Sequence, residues 1–368
     1  MYRKAFTTLI LASLIVVKGA FASDSPQHED DTHHAEMHAE YAEESDPKSE
    51  ITETITHHLL DDHDFTITHG ISIPLPVILV DEGLQVFSSS KFHHGETVAE
   101  NNGNYYKVYH GKIYKTDAEG TISYDEAHHP TNAAPLDLSI TKTVVGMLIT
   151  VILMIWMFTG VANGYKKSAV PTGLAKFLEP LIVFVRDEIA KPNIAGEDYK
   201  KYMPFLLTVF FFVWISNLLG MTPLGLNITG NIAITFGLAI ITFLITQFTS
   251  KKDYWMHIFW MPGVPWPMKI ILAPIELLGV FIKPFALMIR LYANMKAGHT
   301  VLMSLIGLMY IFSNWGAKGA FFGLTFALSL LELLVAALQA YIFTMLSALY
   351  FGAAAEDHHA HEAEHATA

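Results

Sequence analysis

Hydrophobic residues in this chain fall into long unbroken blocks, and those blocks predict its architecture. Five of them, at 144–161, 204–221, 232–248, 270–312 and 320–351, are apolar enough to be read as membrane helices. A helix needs about 20 apolar residues to cross a bilayer, so the first three are near the minimum. The last two are about twice that length. A helix of about forty residues is about 60 Å long, against a hydrocarbon core of about 30 Å. Neither can stand upright. The pattern predicts an all-α polytopic membrane protein with five transmembrane helices, ending in a long tilted helical hairpin. The turn is expected at 313–319, where Ser, Asn, Lys and two Gly interrupt the apolar run.

Upstream of residue 139 the pattern changes to short alternating segments. Residues 65–73 and 77–87 are β-branched and alternating, 105–109 and 112–115 flank His110-Gly111, and 121–124 follows Glu119-Gly120. These read as short strands joined by hairpin turns, with Pro74 and Pro76 marking an edge or bulge. A small β-rich module over 65–138 is the expectation. Residues 23–64 are polar, acidic and His-rich, a composition expected to be disordered. At the start, Arg3 and Lys4, an apolar run over 5–17 and Ala20-Phe21-Ala22 read as a secretory signal, 1–22. Cleavage there would start the mature chain outside the cytoplasm. An outside start and five crossings put the tail, 353–368, in the cytoplasm.

Charge placement agrees with that orientation. Lys166-Lys167 and Lys251-Lys252 follow the first and third spans, where the positive-inside tendency wants them. Residues 172–201 carry five more basic residues. Within them 174–189 reads as an amphipathic helix on the cytoplasmic surface, bent or begun at Pro180. The Trp- and Pro-rich stretch 255–267 reads as an interfacial loop. The net charge of -12 belongs to one segment: 23–64 holds fourteen Asp or Glu and one Lys, so the remainder is near neutral. The chain has no Cys, which excludes disulfides and thiolate metal sites. No basic face suggests a nucleic-acid partner. The His clusters at 28–63 and 358–365 could bind metal, but a solvated acidic tail is the simpler reading; no metal or cofactor is expected.

Polar residues inside the apolar blocks carry the chemistry. A charge there costs roughly 2.5–3.5 kcal/mol on insertion scales, so it is retained for a partner or a function. The fourth block holds Glu276, Lys283, Arg290, Asn294, Lys296 and His299; the fifth holds Glu332 and Gln339. Glu276, Lys283 and Arg290 are spaced by seven and share a helical stripe, which Asn294 extends. An antiparallel hairpin centred in the predicted turn would set Arg290 level with Gln339 and His299 level with Glu332. Arg stays protonated under essentially all conditions and cannot relay protons. It can hold a fixed charge against a carboxylate on a partner, or pair within the chain with Glu276. His299 and Glu332 titrate and can pass protons, or they form a buried structural bond. Lys283 and Lys296 read as snorkelling cations.

The run from Glu276 to His299, with its Arg290-Leu-x-x-Asn294-Met-x-x-Gly298 core, resembles the arginine helix of ATP synthase subunit a. Leu338-Gln339-Ala340-Tyr341-Ile342-Phe343 resembles the matching last helix, and Asn217-Leu-Leu-Gly220 with Pro223 and Gly230-Asn231 also fit. The resemblance covers roughly 140–352, a membrane domain over 139–352. It implies a bacterial inner-membrane proton-channel subunit with a periplasmic N-terminus. The implied partners are a ring of c subunits, b-type peripheral stalk subunits, the other synthase subunits and lipid. By that likeness Arg290 separates two offset half-channels and helps each ring carboxylate lose its proton. Asn294 and Gln339 line its surroundings, His299 and Glu332 lie in the outside half-channel, and Glu276 lies toward the cytoplasmic exit. His299 and Glu332 exchange the acid and base found at these positions in many bacterial members. The ring supplies the ion site, so this chain does not separate H⁺ from Na⁺. No phosphate loop of the GxxxxGK[ST] kind occurs, which leaves ATP chemistry to other subunits. Two other classes stand beside this one: a secondary transporter, which would show repeated spans, and a metal-binding envelope protein with plain anchoring helices.

Overall fold

A computed structural model describes residues 61–355, apart from 69–70, 96, 126–128, 168–169, 223–224, 261–263 and 313. The expected signal, most of the acidic His-rich segment and nearly all of the C-terminal tail lie outside the described residues. Two compact units form. The first takes in the described residues up to Met147, Leu219–Ile228 and Ala297–Leu331. The second takes in Leu148–Leu218, Thr229–Lys296 and the described residues from Glu332.

Unit one holds the β-rich module. Strands β1 (Asp64–Thr68) and β2 (Ile71–Pro74) pair as one hairpin. Strands β3 (Pro76–Val80) and β4 (Leu84–Ser88) pair as a second, joined on its other side by the two-residue β8 (Leu136–Asp137). A third sheet runs β5 (Ala99–Asn101), β6 (Asn104–Tyr109), β7 (Lys112–Thr116). Its two turns, Asn102-Gly103 and His110-Gly111, all have positive φ. That conformation matches the strand twist of a tight hairpin. Alternation directs Val77, Leu79 and Phe87 inward, where Phe92, Ala99, Tyr106 and Ile113 close the core. Phe92 arrives on a 3₁₀ turn, Ser89–Gly95, and meets Phe87 edge-on at 5.6 Å.

The two long expected strands are thus two hairpins. Expected strand 121–124 forms no ladder, only a bridge from Tyr124 to Pro130. The amide of Ser123 is taken by the Asn132 side chain instead.

A second apolar cluster ties the module to the first membrane helix. Phe65 and Leu75 pack with Leu226, Leu219 and Val145. Polar bonds reinforce it. Asp61 accepts from Thr141 and from both the amide and hydroxyl of Thr143, at 2.7–3.1 Å. His63 Nε2 lies 2.9 Å from Asp137 Oδ2, and the Ser89 hydroxyl donates to Asp64. Burial opposes charging of His63, but the Asp137 bond and the charges of Asp137, Asp61 and Asp62 outweigh it and hold the imidazole above its usual range.

Among the described residues, five helices are long and apolar enough to cross a membrane. They are α1 (Lys142–Lys167), α4 (Tyr199–Gly220), α5 (Ile232–Thr249), α7 (Trp266–Ile311) and α8 (Trp315–Ala355). Between α1 and α4 lie α2 (Leu174–Phe184), a π turn (Val185–Ala190) and the single turn α3 (Lys191–Asn193). This run buries Leu178, Val185 and Ile189 and exposes Lys176 and Arg186, as an amphipathic helix should.

Three boundaries differ from the pattern. Helix α4 starts at Tyr199, five residues ahead of Pro204, with Lys200 and Lys201 exposed on its first turn. The expected loop from 255 is partly α6 (Lys252–Phe259), because its prolines all fall later, at 262, 265 and 267. The turn before α8 is shorter than 313–319. Asn314 caps α8 by accepting from the Gly316 amide at 3.0 Å, which draws both glycines into the helix.

Candidate functional site

The polar residues of unit two gather along α7 and α8. Helix α7 buries Val280, Leu287, Leu291 and Met295 against its own chain. Arg290 is exposed, on a stripe that also carries the exposed Lys283, Ala286, Ala293 and Asn294, with Ile282 and Ile289 flanking it. Among the described residues, Arg290 makes no ion pair or hydrogen bond. Glu276, the intrachain alternative, is half-buried and forms no salt bridge with it. A guanidinium on an apolar helix without an anion is expensive in lipid.

Asn294 and Gln339 come together. Asn294 Nδ2 donates to Gln339 Oε1 at 3.0 Å, and Gln339 is 3% exposed. The expected level pair was Arg290 with Gln339, so the seam contact falls one turn further along α7. Bonds between antiparallel helices are made where side chains lean toward each N-terminus, which a count from the turn ignores. Lys283 Nζ lies 5.7 Å from the centre of the Tyr350 ring. Lys283 is eleven residues before Asn294 and Tyr350 eleven after Gln339, so both contacts share one register. Eleven residues are about three turns, which keeps each pair on one stripe.

Glu332 is buried in unit two, and neither carboxyl oxygen has a hydrogen-bond partner among the described residues. Gln339 Nε2 is likewise unanswered. His299 is buried at 5% exposure in unit one. Buried polar atoms are normally satisfied, and exceptions call for water, an ion or a functional reason. No three His, Asp or Glu side chains among the described residues converge on a metal position.

Two contacts are additional to the sequence reading, which names Asn217 only as part of a motif and does not single out Tyr350. Asn217 on α4 is 1% exposed; it accepts from Thr229 at 2.6 Å and donates to the Ala336 carbonyl at 3.4 Å. It therefore ties α4 to α8 midway between Glu332 and Gln339. Tyr350 was invisible as a partner of Lys283, although its eleven-residue offset from Gln339 was available.

Comparison with known proteins bears on the same segment. The family model described as ATP synthase A chain matches residues 144–352, over half of the chain. A domain of unknown function, DUF8433, matches residues 54–138. ATP synthase subunit a 2 of Prosthecochloris aestuarii is 40% identical over 308 residues, 79% of this chain and 93% of that one. ATP synthase subunit a 2 of Chlorobaculum tepidum is 44% identical over 66% of this chain and 71% of its own. The subunit a of Myxococcus xanthus is 46% identical over 62% of this chain and 76% of its own.

Proposed function

Because this chain belongs to the ATP synthase A chain family, we propose that it is the proton-conducting subunit of the synthase membrane sector, coupling proton flow to ATP synthesis. The observation that carries this reading is Arg290, a permanent cation exposed on a membrane-length apolar helix, α7, with no partner among the described residues. Its anion is then supplied from outside the chain. A ring of c subunits, each with one membrane carboxylate, meets that need. As a ring carboxylate passes, Arg290 favours its ionised form and so releases its proton. Arg290 itself gives up no proton, which blocks a direct leak between the two half-channels.

The remaining residues take roles in this scheme. Asn294 and Gln339 hold the seam beside Arg290. Glu332 and His299 are each taken as a titratable group of the outside half-channel; Glu332's unanswered oxygens are suited to water. Glu276 lies on the exit side. The lysine pairs at 166–167 and 251–252 favour a cytoplasmic placement for those helix ends. The module over 65–138 is then periplasmic, the membrane domain spans 139–352, and 353–368 is a cytoplasmic tail. Signal cleavage after residue 22 fits the same orientation. Peripheral stalk subunits of b type and lipid cover other faces. ATP chemistry belongs to other subunits.

The test is Arg290→Ala in inverted membrane vesicles. ATP synthesis driven by an imposed proton gradient should fall to background while the chain still assembles with the synthase. Coupling retained at the wild-type rate would sink the reading.

A further inference from the structure

Arg290 is not the one cation on its stripe. Lys283 lies seven residues earlier, two turns away on the same face, and is also exposed. About 10.5 Å of helix separates the two. A carboxylate moving along this face would meet both. Lys283 forms no ion pair with Glu276, the acid one heptad further back. Its ammonium is instead over the face of Tyr350, 5.7 Å from the ring centre. That distance lies within the range of a cation–π contact. Beside the pair is a cavity with room for about one water molecule, lined by Thr242, Thr246, Gln247 and Tyr254 as well as Lys283 and Tyr350. Its lining holds no carboxylate, so no anion there competes with the Tyr350 ring for the ammonium; the Gln247 side-chain oxygen, without a hydrogen-bond partner among the described residues, is a neutral acceptor on the same wall.

Resting on the function proposed above, we propose that Tyr350 is a positioning residue that parks the Lys283 ammonium on its ring, leaving Arg290 as the single fixed cation met by the passing carboxylate. An unparked Lys283 would be a flexible second charge on the same track. It would capture the carboxylate as an ion pair two turns early and slow its passage. The ring face does the parking; the phenol hydroxyl is not required for it. A cation–π contact shifts such a balance by roughly two- to thirty-fold.

The experiment uses the assembled synthase in vesicles, with proton-driven ATP synthesis as readout and subunit content measured in parallel. Tyr350→Leu should lower the rate several-fold. Tyr350→Phe, which keeps the ring, should match wild type. Lys283→Met alone should be near wild type, and Tyr350→Leu with Lys283→Met should recover the rate lost in Tyr350→Leu. A merely structural tyrosine would show no such recovery. The inference is overturned if the double variant is as slow as Tyr350→Leu, if Tyr350→Phe is as slow as Tyr350→Leu, or if Lys283→Met alone loses coupling. Should Tyr350→Leu fail to assemble, Tyr350→Met takes its place, alone and with Lys283→Met, under the same criteria. Arg290→Ala in the same vesicles separates the two levels. Its retained coupling removes the channel reading, whereas its loss of coupling without rescue removes the Tyr350 role alone.

Discussion

The β-rich module and the α7–α8 segment handle polar groups in opposite ways. In the module, carboxylates at the core edge are answered from within the chain. Asp61 has Thr141 and Thr143, Asp64 has Ser89, Asp137 has His63, and Asp81 has Lys115 at 2.9 Å and Tyr106 at 3.0 Å. On α7 and α8, Arg290 and Glu332 are unanswered among the described residues. Apolar surface divides the same way. In the module Val77, Leu79, Phe92, Tyr106 and Ile113 are each at most 3% exposed, whereas in the most apolar stretches of α7 and α8 only 11% of the residues are buried. A self-sufficient region closes its own bonds and its own core. On the function proposed above, a region that leaves both open is one side of a larger contact.

That contrast predicts opposite outcomes for similar substitutions. The largest effect is expected at Glu332. Glu332→Leu should cut proton-driven ATP synthesis at least about tenfold, in keeping with the loss of a proton-transfer group. Its stability cost should be absent, or reversed into a gain of about 1–3 kcal/mol, since a buried carboxyl without a partner is itself costly. Thermal unfolding of the detergent-solubilised chain measures the second part. Glu332→Leu that lowers the unfolding temperature while sparing conduction would erase the contrast.

Next in size is the matching change in the module. Asp64→Ala leaves the Ser89 hydroxyl, which also accepts from the Leu75 amide at 2.9 Å, without its acceptor. A loss of about 2–3 kcal/mol is expected. Hydrogen exchange at β3 and β4 amides in the full chain should quicken, while ATP synthesis per assembled synthase stays within about twofold. A smaller effect, about 1 kcal/mol, is expected for Asn314→Ala, which removes the cap of α8. Faster exchange confined to the first turn of α8 would register it.

Much of this division was legible in the residues, and the gaps have physical causes. Membrane helices were readable because apolar length is additive along a chain and needs no partner. The hairpin turn at His110-Gly111 was readable because two positive-φ residues favour Gly and polar neighbours. Asn102-Gly103 carries the same signal and was passed over, because the strands beside it are three and six residues long. Helix α6 was hidden by Trp255 within it and by the Trp and Pro residues that follow it. At the site, residue type pointed to Arg290, Asn294, Gln339, Glu332 and His299. Contacts were harder. Asn294 with Gln339, Lys283 with Tyr350, and Asn217 with Ala336 each depend on how two helices lean. Pairwise register is a property of packing, and a single helix does not state it.

The smallest predicted effect is a pH slope in the module, with its sign fixed by the direction of each shift. His63 titrates above its usual range in the fold: burial opposes this, and the Asp137 bond with the nearby aspartate charges prevails. Its contribution is therefore complete below the unfolded value of about 6.5 and is lost as pH rises through the folded value. Asp137 titrates below its usual range, because the His63 and Ser139 bonds outweigh its burial. Its contribution is present above about 3.8 and is lost as pH falls through the folded value. Together they favour the module most between about pH 4 and 6.5. Asp61 is pushed up by burial, against the Thr143 and Thr141 bonds, so it also weakens the module as pH rises. A single curve would mix these groups; the difference between wild type and His63→Gln separates them. Exchange protection of the Leu138 amide, which donates to Ile78 at 2.8 Å, reports on β3 and β8 directly. After correction for intrinsic exchange, wild-type protection should fall above about pH 6.5, and His63→Gln should lose most of that fall. Parallel curves would mean that His63 contributes no titrating stability, and that the module's self-sufficiency rests on its core and its neutral hydrogen bonds.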